Sequence, residues 1–442
     1  MAFLNNHHTK DEDDRIQILP ELDVWSVIRK IALSGVQENP FYVCDVPDLI
    51  RKYQNWKKTM PRVTTHYAVK CNDSRIVLET LAALGIGFDC ASEGEIRKVL
   101  SLGVHPSRIV YANPTKKESY LKYAAAVGVD LMTFDNEHEL YKIKSFHPNA
   151  KLLIRIKCDD LTALYVFGEK YGCDYETEAA DLLKTAFSLD LNVVGVAFHI
   201  GSGSKNFSIF KSAFAAARHV FDEAAKVGYD FNLLDIGGGF PGEKCTSIKE
   251  IGGIINEAIE EYFPDPTVRI TSEPGRYYVN SAFTLVTSIH SLKATKTQTN
   301  ERSYAYYVDV GVYGGLIPIL FDENYSFQPL NTKIGGELYP TVIWGPTCDS
   351  WDKLAKNILL PKLNSGDWLV VEDAGAYTVA MSFEFNGMDT PKVHSVIDEN
   401  NWKYLTQEVP FPMAVEKFVR GTTLDNYRTG LSSSNKFRTN YF

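Results

Sequence analysis

The chain has 442 residues, of which 45% are hydrophobic and 12% aromatic, enough to build sizeable cores in about two to three domains. Its net charge of −9 argues against a nucleic-acid partner, because proteins that bind the phosphate backbone carry a basic surface. The sequence has no signal-peptide pattern, no apolar run long enough to span a membrane, and seven dispersed cysteines without a zinc-ribbon spacing, so we expect a cytoplasmic protein that binds neither membrane nor metal.

Residues 1–40 are predicted to form a polar arm followed by an amphipathic helix. The acidic run Asp11–Asp14 belongs to the arm, which we expect to be solvated. Apolar residues recur at helical spacing from Leu22 to Ala32, and Gly35 is expected to end the helix. We expect this helix to pack on a C-terminal β-domain.

Residues 41–280 are predicted to form a (β/α)8 barrel. Phe41–Asp45 is typical of a strand and 46–58 of a helix, after which short apolar strands alternate with helical patterns. The predicted strands of this repeat are 66–71, 87–91, 109–113, 131–135, 151–157, 193–201, 232–239 and 269–275. Eight such repeats favour a closed barrel, and an open doubly wound parallel sheet is the alternative.

Residues 281–442 are predicted to form an all-β, sandwich-like domain, because the helical patterns cease after about residue 280. Strand-like segments separated by Gly, Pro and Asn turns occur at 283–289, 305–310, 339–344, 367–371 and 378–383. The tail from Leu431 is expected to be flexible.

Distinctive polar residues and glycines lie at the ends of the predicted barrel strands. They are Lys70, Asp89, Arg155, His199, Ser202, Gly237, Gly238, Gly239, Glu273 and Arg276. Taken singly, each has a structural explanation: a lysine can reach solvent, a histidine can be a core residue, and three glycines can form a tight turn. The carboxyl ends of barrel strands meet at one face, however, so these residues are predicted to share a site there.

The types of these residues point to pyridoxal 5′-phosphate. A glycine-rich loop with a serine and an arginine can bind a phosphate group. A lysine at a strand end can hold the cofactor as a Schiff base, and an acid facing the pyridine nitrogen keeps the ring an electron sink. Lys70 and Glu273 are the candidates for these two roles, and His199 could lie flat against the ring.

Longer strings identify a family resemblance. The chain resembles the eukaryotic ornithine decarboxylases, of the alanine-racemase-like (fold-type III) pyridoxal phosphate enzymes, from about Phe41 to Met388. The strings that carry it are YAVKCND (67–73), FDCASEGEI (88–96), VVGVAFHIGSG (193–203), LLDIGGGFPG (233–242), EPGRYYVNSAFTL (273–285), WGPTCDSWD (344–352) and GAYTVAMSFEFNG (375–387).

The resemblance implies a homodimer in which each active site is shared between two subunits. Lys70 would hold the cofactor, Glu273 would face its ring nitrogen and His199 would stack on the ring. The residues implied around the phosphate are Ser202, Gly238, Gly239, Gly275, Arg276 and Tyr377. Asp89 and Arg155 would support Lys70.

The partner subunit would supply the residues that handle the substrate. Cys348 would return a proton after CO2 leaves, and Asp349 would bind the distal ammonium of the substrate. Phe385 and the residue at position 310 would complete the substrate pocket. The resemblance also makes an antizyme a candidate partner.

One departure from the family concerns this pocket. The chain reads Asp309-Val310-Gly311-Val312-Tyr313-Gly314 where the family has Asn-Asp-Gly-Val-Tyr-Gly, so Val310 replaces an aspartate that would join Asp349. Side chains alternate along a strand, so Asp309 is expected to point away and not to substitute for it. His66, in place of a usual Phe, is a smaller departure.

Three functions are compatible with these features. The first is decarboxylation of L-ornithine to putrescine, a step of polyamine biosynthesis. The second is decarboxylation of another amino acid, because Val310 alters the pocket. The third is a non-catalytic regulator resembling the antizyme inhibitors, which predicts decay of the cofactor residues, whereas here they are intact.

Overall fold

The computed structural model describes residues 16–158, 160, 162–204, 206–331 and 336–413. The acidic run of the predicted arm and the predicted flexible tail lie outside these residues. The chain divides into two compact units, which we call the barrel unit and the β unit. The barrel unit consists of Leu49–Asp73 and Val77–Asn280, and the β unit of the residues up to Asp48, Ser74–Ile76 and the residues from Ser281 onward.

The strands, in chain order, are β1 (Ile16–Leu19), β2 (Phe41–Asp45), β3 (Val63–Ala68), β4 (Gly87–Cys90), β5 (Ile109–Tyr111), β6 (Leu131–Phe134), β7 (Lys151–Lys157), β8 (Asn192–His199), β9 (Leu233–Asp235), β10 (Arg269–Ser272), β11 (Phe283–Lys296), β12 (Arg302–Val308), β13 (Gln328–Pro329), β14 (Leu338–Trp344), β15 (Lys353–Pro361), β16 (Trp368–Val371) and β17 (Lys392–Asp398). The helices are α1 (Val24–Ala32), α2 (Val46–Thr59), α3 (Arg75–Ala83), α4 (Glu93–Ser101), α5 (Glu118–Val127), α6 (Glu137–Phe146), α7 (Ala179–Ser188), α8 (Ile209–Val227), α9 (Lys249–Tyr262), α10 (Arg276–Val279) and α11 (Glu399–Lys403).

Strands β3 to β10 form a closed barrel in which every neighbouring pair is parallel, and β10 closes the ring against β3. The closed ring confirms the predicted (β/α)8 barrel and excludes the open sheet. Strands β5 and β9 are buried along their whole length, as expected for parallel strands covered on both faces. All carboxyl ends of these strands therefore face the same end of the barrel.

Helix α8 shows how the sequence covers the barrel with helices. Its buried residues recur at spacings of three and four, for example Phe210, Ala213, Phe214 and Ala217, so one face is apolar. Gly228 ends the helix in the left-handed conformation, with φ of +111°, which costs glycine little. Within the described part of the chain, no helix is both long and apolar enough to cross a membrane.

The β unit is built on a sheet with the strand order β1-β17-β2-β11-β12-β14-β15, and β16 pairs with both β11 and β13. This mostly β architecture agrees with the prediction for the C-terminal region. The placement of Phe41–Asp45 in the barrel is wrong, because β2 pairs with β11 and β17 in this sheet. An apolar run predicts a buried strand but does not indicate which sheet contains it.

Helix α1 packs against the sheet of the β unit. Asp23 begins the helix by accepting a hydrogen bond from the backbone N–H of Trp25 at 3.1 Å. Ile28 and Ile31 are fully buried and belong to one apolar cluster with residues of the sheet, including Phe41 and Val370. The C-terminal β unit therefore depends on residues from the start of the chain.

Two local predictions differ from the structure. Residues 378–383 do not form a strand, because Thr378 donates its hydroxyl to the carbonyl oxygen of Ala374 at 2.6 Å and the chain enters a 3-10 turn at Val379–Met381. The end of the predicted solvated arm instead forms β1, which pairs in parallel with β17. In both places the partner that decides the conformation lies outside the local sequence pattern.

Candidate active site

Lys70 lies just beyond β3, at the carboxyl end of the barrel. Residues Val69–Cys71 form a 3-10 turn, and the ammonium group of Lys70 pairs with Oδ2 of Asp89. Asp89 lies in β4 with a fully buried side chain, and its Oδ1 has no hydrogen-bond partner among the described residues. The buried carboxylate therefore orients the Lys70 ammonium and keeps one acceptor atom for another group.

His199 ends β8, and its imidazole is held in one tautomer. The backbone N–H of Gly201 donates to Nδ1 at 3.0 Å, so the proton of the neutral ring lies on Nε2. Phe167 packs edge-on against it, with ring centroids 4.9 Å apart. Burial, and then the positive charges of Arg155 and Lys70, hold the pKa of His199 well below its usual range. A neutral, fixed ring of this kind can stack on a planar ligand.

Two carboxyl groups are brought together where β9 and β10 end: Asp235 is the last residue of β9, and Glu273 follows β10. Burial raises the pKa of Glu273 well above its usual range, and the negative charges of Asp235 and Asp89 raise it further. Burial also raises the pKa of Asp235 to about 6, although the backbone N–H of Gly237 donates to it at 2.8 Å. Glu273 therefore holds a proton strongly, which suits a carboxyl group that faces a ring nitrogen.

Asp235 was missed in the sequence analysis, although it lies within one of the quoted strings. It also accepts a hydrogen bond from the hydroxyl of Thr271 at 3.1 Å, and so links β9 to β10 below the glycine loop. An acid inside a short apolar strand was the available signal, because a buried carboxylate needs hydrogen-bond donors.

The glycines that follow β9 form a close-fitting loop. Gly237 and Gly239 have φ of +64° and +98°, where residues with a Cβ are strained. A Cβ at Gly238 would lie 2.8 Å from the carbonyl oxygen of Glu273 and 2.9 Å from Nε2 of His199. The loop backbone therefore lies directly beside both of these predicted site residues, with no space for a side chain.

Ser202 and Arg276 meet at the same end of the barrel. The Nε–H of Arg276 donates to the hydroxyl of Ser202 at 3.1 Å. Gly275, just before Arg276, approaches Cys71 so closely that a Cβ would lie 2.8 Å from the Cβ of Cys71. This contact brings the start of α10 to the turn that carries Lys70.

The residues of the barrel unit fit the predicted cofactor. The backbone of the loop at Gly238 comes as close to His199 and Glu273 as only a glycine allows, and backbone amides, a serine and an arginine are suitable donors for a phosphate group. The amine of Lys70, the neutral ring of His199 and the carboxyl group of Glu273, whose pKa is raised by burial, supply the other chemical types that the sequence analysis required. Arg155 joins this group through its charge and stacks over Tyr171 at 5.1 Å.

In the β unit, Cys348 and Asp349 lie on the loop between β14 and β15, and the buried Asp352 organises this loop. Its carboxylate accepts hydrogen bonds from the backbone N–H of Val312 at 2.7 Å and from Thr347, N–H at 2.9 Å and hydroxyl at 2.7 Å. A Cβ at Gly311 or Gly345 would lie 2.3 or 2.2 Å from the same carboxylate. Asp352, also missed in the sequence analysis, thus joins the loop to the segment after β12.

The predicted substrate residues contact one another through Tyr313 and Asn386. The hydroxyl of Tyr313 donates to Asp349 and holds the pKa of that carboxyl below its usual range. The ring of Tyr313 packs on Phe385 with centroids 4.7 Å apart. The backbone N–H of Cys348 donates to Oδ1 of Asn386 at 3.1 Å, and Cys348 itself is exposed. Asp349 is therefore an ionised and oriented carboxylate.

Val310 is buried, with 1% of its surface exposed, and lies on the segment that Asp352 holds. Asp309 is engaged elsewhere, because it accepts hydrogen bonds from the hydroxyl of Ser288 and from Nδ1 of His290, the latter at 2.8 Å. These contacts agree with the expectation that Asp309 does not replace the missing aspartate. The segment therefore presents an apolar side chain at position 310.

Tyr377 lies in the turn that replaces the predicted strand at 378–383. It has φ of +57°, which is unusual for a residue with a Cβ. The hydrogen bond between Thr378 and Ala374 spans this residue and stabilises the turn. The ring of Tyr377 therefore belongs to a tightly folded segment of the β unit.

The pattern that describes the pyridoxal-binding domain of pyridoxal-dependent decarboxylases matches residues 46–280. Over 434 residues the chain is 44% identical to an ornithine decarboxylase of Mus musculus, covering 94% of each chain. It is also 44% identical to an antizyme inhibitor 2 of Xenopus laevis over 375 residues, 82% of each chain. Among solved structures, an arginine decarboxylase of Paramecium bursaria Chlorella virus bound to agmatine is similar, with a TM-score of 0.80, 36% sequence identity, and coverage of 84% of this chain and 100% of that one.

The first prediction concerns Asp352. Asp352→Asn should lower the free energy of unfolding by about 1–3 kcal/mol, because the amide NH2 would face a backbone or hydroxyl donor. Losing the hydrogen bonds to the Asp352 carboxylate should also speed alkylation of the Cys348 thiol, because Asp352 holds the loop that carries it. Urea unfolding and timed thiol labelling measure both effects. Asp389→Asn, at an exposed acid of the same unit, is the matched control, and equal behaviour of the two variants would contradict this role for Asp352.

Proposed function

Because this chain belongs to the family of pyridoxal-dependent decarboxylases, we propose that it removes CO2 from a basic L-amino acid with pyridoxal 5′-phosphate as cofactor. We further propose that L-ornithine is the substrate and putrescine the product, as the name of the Mus musculus relative suggests. The observation that carries the proposal is the grouping of Lys70, His199 and Glu273 around the glycine loop. Dispersed free cysteines support a cytoplasmic location.

Each barrel residue has a role that follows from its chemistry. Lys70 would bind the cofactor covalently, and Asp89 and Arg155 would set the position and charge of its side chain. Bound there, the cofactor supplies an electron sink for the electron pair that remains on Cα when the carboxylate departs as CO2. Glu273 would share its proton with the ring nitrogen, and the neutral His199 would stack on the ring face. The phosphate would be bound by Ser202, Gly238, Gly239, Gly275 and Arg276, and the resemblance adds Tyr377 of the β unit to this set.

The β unit would act on the substrate. Asp349, held ionised by Tyr313, would bind a cationic side-chain end, and Phe385 would line the pocket beside it. Cys348 would deliver the proton that replaces CO2, since its thiol is exposed and its loop is fixed by Asp352.

We propose that these β-unit residues serve the barrel of a second subunit in a homodimer. Apolar side chains around Cys348 support this, because Trp351, Phe383 and Phe385 are 71%, 48% and 38% exposed. Exposed apolar side chains grouped around a functional residue are typical of a surface that a partner covers. An antizyme remains a second candidate partner, on the strength of the resemblance.

Two other functions follow from particular observations. Val310 favours a decarboxylase for a different amino acid, because a site with one fewer carboxylate binds a distal ammonium less well. The similarity to an antizyme inhibitor allows a regulator without catalysis. The retention of Lys70, Arg276 and Cys348 argues against this third function.

The second prediction tests the proposal itself. The purified protein should show the absorbance of covalently bound pyridoxal phosphate and should release CO2 from one amino acid in a screen of the common ones. Lys70→Ala should abolish both signals, whereas Lys117→Ala, at an exposed lysine of the same unit, should retain them. Absence of both the cofactor absorbance and CO2 release in the wild-type protein would favour the regulator, and unchanged absorbance in Lys70→Ala would refute the role of Lys70.

The third prediction tests the shared site. Lys70→Ala and Cys348→Ala subunits should each be inactive, because each lacks one of the two required groups. Mixing them should restore up to about one quarter of the wild-type activity, since random exchange gives half mixed dimers with one intact site each. Activity is measured after mass spectrometry has shown subunit exchange. Failure to recover activity in exchanged dimers would place both residues of a site on one chain.

The fourth prediction concerns Val310. Val310→Asp should raise kcat/KM for ornithine by at least about tenfold, because the ammonium gains a second carboxylate in a partly desolvated pocket. Val310→Asn is the matched control, because asparagine has nearly the same shape as aspartate but carries no charge. Steady-state kinetics would compare kcat/KM for ornithine, lysine and arginine in each variant. If wild type uses ornithine efficiently and Val310→Asp changes nothing, Val310 does not determine specificity.

A further inference from the structure

The barrel unit contains a cavity of about 300 Å³ at the end opposite Lys70. Its walls come from 60–61, 85–86 and 107–108, which lead into β3, β4 and β5, and from the first residues of β3 (63–66) and of β4 (Gly87). One side is formed by Tyr53 and Trp56 of α2. Because these segments precede their strands, the cavity lies at the amino-terminal mouth of the barrel. The glycine loop at Gly238 follows β9 at the other mouth of the barrel, so this cavity is separate from the candidate active site.

The charge of this cavity is one-sided. Lys57 and Arg108 line it, and none of its lining residues is an aspartate or a glutamate. Arg108 is fixed in place, because its Nη2 donates to the carbonyl oxygens of Ala82 and Ile86 at 2.9 and 2.6 Å. In a chain with a net charge of −9, an acid-free cavity with two cations is a favourable place for an anion.

His66 supplies a polar group to the same cavity. Gly87 makes room for its imidazole, since a Cβ there would lie 2.4 Å from Cδ2 of His66. The Nδ1 atom is buried and has no hydrogen-bond partner among the described residues. The imidazole therefore lies in the wall of the cavity, with hydrogen-bonding capacity that the described residues leave unused.

The electrostatic surroundings of His66 agree with an anion site. Burial lowers the pKa of His66 to about 4, Asp89 on β4 acts against this, and Arg269 on β10 and Arg108 lower it further. A negatively charged ligand would offset the two arginines and bring the imidazole closer to its ordinary pKa. Anion binding and protonation of His66 are therefore expected to favour each other.

We propose that this cavity binds a small molecule carrying a carboxylate or phosphate group, with His66, Lys57 and Arg108 around the oxyanion. The half-buried ring of Tyr53 offers apolar surface to the rest of the ligand. A few convergent polar groups beside aromatic walls are typical of metabolite sites, and a volume near 300 Å³ suits a small molecule. The inference does not depend on the proposed decarboxylation.

The experiment uses protein saturated with pyridoxal phosphate, so that the added anions do not bind at the glycine loop. Titration calorimetry with citrate and with inorganic phosphate should reveal one saturable site for at least one of these probes, and the preferred probe identifies the oxyanion. Lys57→Glu and His66→Phe should each weaken binding about tenfold, the effect of losing a charged or hydrogen-bonding partner. His66→Gln, which keeps a side-chain N–H, should retain most of the affinity.

Lys58→Glu is the matched control, because it makes the same charge change on the same helix at an exposed residue outside the cavity lining. Cofactor absorbance shows that each variant is folded. The proposal would be overturned if Lys58→Glu weakened anion binding equally. It would also be overturned if Lys57→Glu and His66→Phe left the affinity unchanged, or if neither probe showed a saturable site.

Discussion

The candidate site depends on how the barrel accommodates three neighbouring carboxyl groups that are buried. Asp89 is paired with Lys70, whereas burial, followed by the charges of neighbouring carboxylates, raises the pKa values of Asp235 and Glu273. Burial, and then the positive charges of Arg155 and Lys70, lowers the pKa of His199. Desolvation therefore shifts the pKa values of the acids and of the imidazole in opposite directions, in each case toward the neutral form. These shifts, together with the residue types, determine what the site can bind.

Much of the barrel could be predicted from the sequence because its strands are apolar and its turns are rich in glycine. The positions of Lys70, Asp89, His199 and Glu273 followed from the rule that barrel strands present their carboxyl ends together. Phe41–Asp45 was misplaced because an apolar strand carries no information about its partners. Residues 378–383 were misjudged because the turn depends on a side-chain hydrogen bond between Thr378 and Ala374. Asp235 and Asp352 were missed because their roles depend on backbone amides, which no spacing rule reveals.

The Asp352 carboxylate connects the loop that carries Cys348 and Asp349 to the segment after β12, and this connection has a bearing on specificity. Asp352 fixes both this loop and the segment that contains Val310, so the two predicted substrate positions are part of one hydrogen-bonded arrangement. A substitution at position 310 can then change the chemistry of the pocket without changing the position of Asp349. Such an arrangement lets related decarboxylases acquire different substrates by a few replacements on a constant frame.

The position of β2 in the sheet sets the order in which the chain can fold during synthesis. β2 lies between β17 and β11, so its two neighbours are made more than two hundred residues later. At about 5–20 residues per second, β2 and α1 wait on the order of ten seconds to a minute before β11 is complete. The barrel unit, which lies between them in sequence, can close during that interval. β2 therefore has no sheet partner until the whole barrel unit has been synthesised, and a strand that stays unpaired for that time is exposed to aggregation.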